Sequence, residues 1–166
     1  SGSAIKAAIE HGIDAYPGRA GSFPHVAGIE YRFNPERKSG NKVVDIEING
    51  HDLKMDKKYK VATNDFMAAG GDGYTMFAEA PEVASLGGMD QMLVKYIKEL
   101  GTVNSQNAKV EGRIQAVSDS YVVKAGDVLS EIAKKLNVSV AKLAKFNHLE
   151  NKNMILPGQE LFAPAK

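Results

Sequence analysis

Apolar residues recur at helical spacing in four stretches, which predict four helices. The predicted helices cover residues 3–15, 89–100, 128–136 and 138–146. Ser3 and Ser139 are the predicted N-caps of the first and last, because a serine hydroxyl can accept a hydrogen bond from a free N–H of the first turn. In residues 89–100 the apolar side chains gather on one side, as expected of an amphipathic helix.

Alternating apolar and polar residues predict the strands. The predicted strands are residues 26–33, 43–48, 59–63, 110–117, 121–123 and 160–162. Asn49-Gly50 directly follows the second strand, and this dipeptide favours a tight hairpin turn. Helices and strands together predict an α+β protein.

A glycine-rich loop follows the predicted strand at residues 59–63. Gly70, Gly71 and Gly73 surround Asp72 there, and Phe66 lies just before the loop. Glycines permit positive φ angles and let a backbone approach a ligand closely, so this carboxylate is a candidate site residue. A tight turn in which Asp72 only bonds its own backbone has the same residues. The spacing alone leaves both interpretations open.

The last part of the chain forms a separate pattern. Its predicted elements give a β-α-α-β unit at residues 121–164, preceded by a short polar stretch at residues 118–120. We therefore predict a first domain at residues 1–117, a linker at 118–120 and a second domain at 121–164. A unit as small as the second buries little surface and must be tightly packed.

Composition narrows the possible partners. The 166 residues carry a net charge of +1, so no basic field favours a nucleic acid polymer. The chain lacks cysteine, which excludes disulfides and thiolate metal sites. No apolar run approaches the roughly 18 residues of a membrane helix. Ser1-Gly2-Ser3 runs directly into a helix without a visible signal peptide, and we expect the chain to be a fragment.

The C-terminal pattern resembles a LysM domain, a module that binds N-acetylglucosamine polymers such as peptidoglycan and chitin. The matching residues are 121–129, Ile132-Ala133, Asn147 and 155–161. The resemblance implies a shallow glycan groove formed by Gly126, Asp127, Val128, Leu129, Asn153, Met154, Ile155 and Pro157. Val128 stands where Thr or Ser is usual. Leu129 and Ile155 also fit core positions, and Gly126, Asp127 and Pro157 also fit turns.

The larger part resembles the C-terminal, substrate-binding domain of the 5′-nucleotidase family. The matching motifs are residues 21–29, 59–74 and 111–114. The resemblance implies that Phe23 and Phe66 sandwich a nucleobase, and that Asp72, with Gly71 beside it, lies near the ribose hydroxyls. Core packing is the alternative role of the two phenylalanines. The resemblance covers only the later part of that domain, so the predicted fold is a partial mixed α/β domain followed by the LysM module.

The family's chemistry, by the same resemblance, is a two-metal phosphoester hydrolysis carried out by a separate N-terminal domain. The four histidines here each stand alone in the sequence. We therefore predict no catalytic and no metal-binding residue in this chain, and expect the two divalent metal ions in a catalytic domain that it lacks. The chain alone is predicted to be inactive.

The resemblances together predict part of a cell-surface 5′-nucleotidase or 2′,3′-cyclic-nucleotide phosphodiesterase of a Gram-positive bacterium, held at the wall by its LysM module. One alternative is a non-catalytic, wall-anchored protein that binds nucleotide or glycan. A peptidase or cell-wall hydrolase is not favoured, because residues 1–117 offer no Cys–His pair and no metal-binding histidines. Unpaired strand edges would favour a dimer.

Overall fold

The computed structural model describes residues 1–151 and 154–165, which contain six helices and five strands. The helices are α1 Gly2–Gly12, α2 Asp65–Ala68, α3 Thr75–Ala78, α4 Met89–Leu100, α5 Leu129–Lys135 and α6 Val140–Phe146. The strands are β1 Ile29–Phe33, β2 Val43–Ile48, β3 His51–Asp52, β4 Ile114–Val122 and β5 Glu160–Pro164. A turn of 3-10 helix, Gly71–Gly73, lies between α2 and α3. This mixture confirms the predicted α+β class.

The strands form one mixed sheet in the order β3-β2-β1-β4-β5. Strand β4 is parallel to β1, and the other neighbouring pairs are antiparallel. Its first residues pair with β1, whereas Val117 and the residues after Asp119 pair with β5. The sheet therefore runs from the first part of the chain into the last.

Helix α1 packs on the sheet and builds the first core. Ile5 and Ile9 of α1 and Ile13 at its C-cap recur every fourth position, so they lie on the same side. They are buried against side chains of β1 and β2, which are Tyr31, Phe33, Val43 and Ile46. The Glu10 carboxylate is also buried and accepts hydrogen bonds from the backbone N–H groups of Lys42 and Val43, at 2.8 and 3.0 Å. These bonds tie α1 to the start of β2.

The second core belongs to the C-terminal unit. It contains Val123, Leu129, Ile132, Ala133, Leu143, Ala144 and Leu161, contributed by both short helices and the strand ends. The Ser139 hydroxyl accepts from the N–H of Lys142 at 3.1 Å, which confirms Ser139 as the N-cap of α6. The predicted β-α-α-β order of this unit is also confirmed.

Two other sequence predictions are confirmed closely. Strand β2 occupies residues 43–48, and Asn49 and Gly50 take φ angles of 51° and 74° in the hairpin that follows. Helix α4 occupies residues 89–100 and ends at Gly101. None of its residues is buried, and Met92 and Tyr96 are 44% and 57% exposed.

Two predictions are wrong. Residues 59–63 form no strand, because none of the strands in the described part of the chain pairs with them and β3 already ends at Asp52. An alternating pattern predicts an extended segment, but it does not show whether a neighbouring strand is available to pair with it. The N-cap of α1 is Ser1, whose hydroxyl accepts from the N–H of Ala4 at 3.3 Å, so Ser3 lies inside the helix.

The predicted linker at residues 118–120 lies inside strand β4, which joins two strands that we predicted separately. The register with β5 shifts between Val117 and Ser120, as in a β-bulge. The polar composition of this stretch therefore marks an irregular strand. The limits of the two domains stay a prediction.

Two further expectations concern a membrane span and a dimer. In residues 1–151 and 154–165, no helix is both long and apolar enough to cross a membrane. The outer strands of the sheet are β3 and β5. The predicted dimer would form at these edges, and it stays a prediction.

Candidate functional site

The glycine loop is held between two short helices. The Asn64 side chain caps α2 by accepting from the N–H of Met67 at 2.7 Å. The chain then turns through Gly70, Asp72 and Gly73, which all have positive φ angles. Asp72 has φ 52° and ψ 24°, a left-handed conformation that disfavours most residues with a Cβ atom. Its side chain is exposed.

Phe66 lies directly against this loop. A Cβ atom at Gly71 would come within 2.6 Å of the Phe66 ring, so glycine is required for this approach. The ring is nevertheless 56% exposed. The structure thus brings together three of the four predicted nucleoside-site residues, and Phe66 keeps a surface open to solvent.

Phe23 lies in a second loop and is half-buried. Its ring is 6.2 Å from the ring of Tyr16 and 5.7 Å from that of His25, measured between centroids, and it packs against the first core. Among the ring contacts of the described residues, none joins Phe23 to Phe66 directly. Phe23 therefore has a packing role, and part of its surface is still accessible.

Tyr74 connects the two loops. Its side chain is 1% exposed, and its hydroxyl donates a hydrogen bond to the backbone carbonyl of Ser22, the residue before Phe23. A Cβ atom at Gly12 would come within 2.5 Å of both the Tyr74 hydroxyl and Pro24. The lack of a side chain at the end of α1 therefore lets both loops pack there.

His11 contacts the glycine loop from the same helix. Its Nε2 atom is 2.6 Å from the backbone oxygen of Asp72, and its ring lies edge-on to that of Tyr74 with centroids 5.0 Å apart. In the sequence, His11 is an isolated histidine, and Tyr74 is not among the predicted site residues. Gly12 was a local hint of packing at the end of the predicted helix, but a glycine does not indicate which side chains pack there.

Burial changes the acidity of Tyr74. Burial, and to a lesser degree the nearby Asp72 carboxylate, raise the pKa of its hydroxyl. The hydroxyl therefore stays protonated and remains a donor to Ser22. In the described part of the chain, no group of three or more His, Asp or Glu side chains could hold a metal ion.

The first loop of the predicted glycan groove is well defined. Gly126 has φ 87°, and the Asp127 carboxylate accepts from the N–H of Lys124 at 2.8 Å, which closes the turn. Val128 precedes α5 and is 49% exposed. Leu129 is 4% exposed and belongs to the second core, which favours its packing role.

The opposite side of the groove is described in part. Asn153 lies outside the described residues. Met154 is 68% exposed, Pro157 is exposed, and Ile155 is half-buried against the second core. Exposed apolar side chains are therefore available on both predicted loops, while Leu129 and Ile155 mainly support them.

Charged groups surround the first groove loop. The Lys135 ammonium donates to the Tyr121 hydroxyl at 3.0 Å and lies 4.7 Å from the centre of its ring. The pKa of the exposed Asp127 carboxyl is lowered, first by the hydrogen bond from the backbone of Lys124 and then by the Tyr121 hydroxyl and Lys135. Asp127 therefore stays ionised and keeps the turn closed at neutral pH.

Comparison with known protein families assigns both parts. Residues 1–79 match the model of the 5′-nucleotidase C-terminal domain, and residues 121–164 match that of the LysM domain. The chain carries a 5′-nucleotidase C-terminal domain and a LysM domain. Both family resemblances drawn from the sequence are thereby confirmed.

Relatives of the nucleotidase domain extend past residue 79. The trifunctional nucleotide phosphoesterase protein YfkN of Bacillus subtilis is 42% identical over 123 residues, which are 70% of this chain and 8% of that protein. The 5′-nucleotidase of Homo sapiens is 33% identical over 129 residues, which are 72% of this chain and 22% of that protein.

A solved structure shares the fold. The crystal structure of the 5′-nucleotidase precursor from Thermus thermophilus superimposes with a TM-score of 0.64 and 35% identity, over 70% of this chain and 24% of that one. This chain spans less than a quarter of each of these three relatives. The comparisons therefore assign the two domains of this chain. The activity of a whole protein is a separate question and is treated as a proposal.

Proposed function

We propose that the nucleotidase domain holds part of the nucleoside pocket of a cell-surface nucleotide hydrolase, and that the LysM domain binds wall glycan. The observation that carries the first half is the hydrogen bond from Tyr74 to Ser22. It joins the loop of Phe23 to the loop of Asp72 at one end of α1. Residues from two distant motifs thereby become available to one ligand.

Within this pocket, Phe66 and Asp72 have complementary roles. The exposed Phe66 ring can stack on a nucleobase, an interaction of about 1–3 kcal/mol that tolerates different bases. The exposed Asp72 carboxylate can accept hydrogen bonds from two ribose hydroxyls, which selects a nucleoside over a free base. Phe23 contributes the second aromatic surface.

The hydrolysis itself is assigned to a catalytic domain outside this chain. The relatives named above are a nucleotide phosphoesterase and 5′-nucleotidases, which supports a nucleotide as substrate. We expect that domain to bind two divalent metal ions that activate water and stabilise the leaving oxygen. The contribution of this chain is to bind and orient the nucleoside part of the substrate.

The LysM domain supports a location at the cell wall. Val128 and Met154 offer exposed apolar surface for an N-acetyl methyl group, and backbone groups at Gly126 can pair with the amide. We propose an extracellular, wall-associated protein of a Gram-positive bacterium, with peptidoglycan or a chitin-type polymer as the glycan. Such an anchor would keep a nucleotide hydrolase near its substrates outside the cell.

The nucleoside pocket is tested by titrating the chain with adenosine in a calorimeter. Phe66→Ala and Asp72→Ala should each weaken binding by about tenfold, since each removes one main contact. Val83→Ala, which truncates an exposed apolar side chain outside both loops, is the matched control. Equal affinity of all four proteins would refute the pocket.

The glycan site is tested by sedimentation with purified peptidoglycan and with chitin. Val128→Glu and Met154→Glu place a charge on the exposed apolar surface of each loop and should abolish co-sedimentation. Val110→Glu, at a fully exposed position outside the LysM domain, should leave it unchanged. Co-sedimentation of all three variants would contradict the proposed groove, and the two polymers identify the preferred glycan.

Catalytic inactivity of this chain alone has its own test. The chain is incubated with AMP or a 2′,3′-cyclic nucleotide and Mn²⁺, and phosphate release is measured against the Phe66→Ala variant. No release above that control is expected. Activity that depends on Phe66 would show that the chain performs hydrolysis itself.

A further inference from the structure

We propose that His11 and Tyr74 are the positioning residues of the nucleoside pocket: His11 holds Asp72 in its left-handed conformation, and Tyr74 fixes the Phe23 loop against the glycine loop. This inference rests on the proposed function, because it concerns the same pocket. Neither side chain is assigned a contact with the nucleoside. Each acts through the backbone of a loop that carries a contacting residue.

The contact between His11 and Asp72 determines which ring nitrogen of His11 carries the hydrogen. A backbone carbonyl can only accept a hydrogen bond, so the Nε2 atom, 2.6 Å from the Asp72 oxygen, must carry the hydrogen. The imidazole is thereby a fixed donor on the end of α1. Its edge-on contact with the Tyr74 ring, at 5.0 Å between centroids, limits rotation of the imidazole.

Asp72 needs such a partner. Its φ of 52° is unfavourable for a residue with a Cβ atom, and such strain persists only where neighbouring groups enforce it. Gly71 and Gly73 on either side have no side chains with which to hold the turn. A Cβ atom at Gly73 would come within 2.7 Å of the imidazole, so this glycine is required for His11 to reach the loop.

Tyr74 acts on the other loop. Its hydroxyl bonds the carbonyl of Ser22, and its ring stacks on that of Phe77 with centroids 5.7 Å apart and 6° between planes. The ring is thus fixed independently of the hydroxyl. Loss of the hydroxyl alone should loosen the Phe23 loop at Ser22, where only this hydroxyl is lost, and leave the glycine loop in place.

The test uses variants that separate a donor from a packing role. His11→Gln keeps an N–H donor at a similar reach, whereas His11→Leu keeps bulk and removes the donor. Tyr74→Phe removes only the hydroxyl. His51→Leu, at an exposed histidine of β3, is the control. Adenosine affinity is measured by calorimetry, and the carbonyl ¹³C shift of Asp72 and the imidazole ¹⁵N shifts of His11 by NMR.

We expect His11→Leu and Tyr74→Phe to weaken adenosine binding by about threefold to tenfold, the range for loss of one hydrogen bond. His11→Gln should restore most of the affinity and the Asp72 carbonyl shift. In the unsubstituted chain, the ¹⁵N shifts should show the Nε2–H tautomer. Tyr74→Phe should leave the Asp72 carbonyl shift unchanged.

Three other outcomes would distinguish a failure of this inference from a failure of the proposed function. If Phe66→Ala weakens adenosine binding but His11→Leu and Tyr74→Phe do not, the pocket stands and the positioning roles are wrong. If His11→Gln and His11→Leu shift the Asp72 carbonyl equally, the donor role of His11 is overturned whether or not adenosine binds. If adenosine does not bind the unsubstituted chain, the proposed function fails, and the positioning of a nucleoside fails with it.

Discussion

Two buried tyrosines place their hydroxyl groups on the same loop, at residues 22–24. Tyr31 donates to the carbonyl of Pro24 at 3.3 Å, and Tyr74 donates to that of Ser22. Burial is the main cause of the raised pKa of both side chains. Each hydroxyl thus keeps its proton at a pH where an exposed tyrosine has lost it, and the loop before β1 depends on two protonated donors.

The raised pKa values of Tyr31 and Tyr74 predict that the folded chain loses stability at alkaline pH. The folded-state pKa of each tyrosine lies above the ordinary value of 10.0, so above about pH 10 the unfolded chain loses these protons first and the free energy of unfolding falls. We expect urea unfolding to show lower stability near pH 11 than near pH 8. The loss should be smaller in Tyr74→Phe. Tyr96→Phe, at a side chain that is 57% exposed, is the control.

At the residue scale, the motifs predicted Phe66, Asp72 and Gly71 as a group, and the structure does place them together. The two side chains that hold them could not be selected from local sequence. His11 and Asp72 are 61 positions apart, and Tyr74 and Ser22 are 52 apart. Such pairs are decided by how α1 packs on the sheet, and no periodicity along the chain records that packing.

Among the secondary-structure elements, α6 and β5 are joined by one side chain. Asn147 lies at the end of α6, where its amide nitrogen donates to the carbonyls of Leu143 and Phe162, at 2.9 and 2.8 Å. Its amide oxygen accepts from the N–H of Phe162 at 2.8 Å. The Asn147 side chain therefore bonds the backbone of Phe162 as a neighbouring strand would. It also bonds the carbonyl of Leu143 in the last turn of α6.

Asn147→Asp should destabilise the LysM domain. The substitution replaces the amide donor with an oxygen that faces two carbonyls, so we expect a loss of about 2 kcal/mol or more in the free energy of unfolding. Amide hydrogen exchange at Phe162 is the direct measurement and should become faster. The exposed Gln106→Ala is the control. Unchanged exchange at Phe162 would show that the strand does not depend on this side chain.

Element prediction succeeded where the local signal is sufficient. Residues 43–48 alternate and end in Asn49-Gly50, so strand and turn support each other. Residues 59–63 alternate equally well but find no strand to pair with. Residues 118–120 are polar, yet they continue β4, because Val117 and Ser120 on either side of the register shift both pair with β5. Pairing over long distances in sequence, which propensity does not contain, decided both cases.

Across residues 1–151 and 154–165, the strands form one sheet and the buried side chains form two cores. Strand β4 contributes to both, and Val117 at its centre is fully buried. Directly after β5, the N–H of Ala165 donates to the carbonyl of Ala116 on β4 at 2.9 Å. Backbone hydrogen bonds of β4 therefore join β1 of the nucleotidase domain to β5 of the LysM domain, unlike modules joined by a flexible linker.

One side chain adds a second connection. The Arg32 guanidinium on β1 bonds both carboxylate oxygens of Asp45 on β2, with Nε to oxygen distances of 3.1 and 2.8 Å. It also lies 4.2 Å from the centre of the buried Phe162 ring on β5. The ion pair holds the guanidinium, whose central carbon lies over the ring of Phe162 in the LysM domain.

The shared sheet predicts that the two domains unfold together. In the unsubstituted chain, amides of β1 and β5 should exchange with similar opening free energies. Arg32→Leu removes the cation and the ion pair, and should lower the opening free energy of β5 by about 1 kcal/mol. Arg32→Lys should restore only part of this, because an ammonium lacks the planar face. The exposed Arg37→Leu is the control. If exchange in β5 is the same in all four proteins, the cores are independent, and β4 alone does not transmit stability between them.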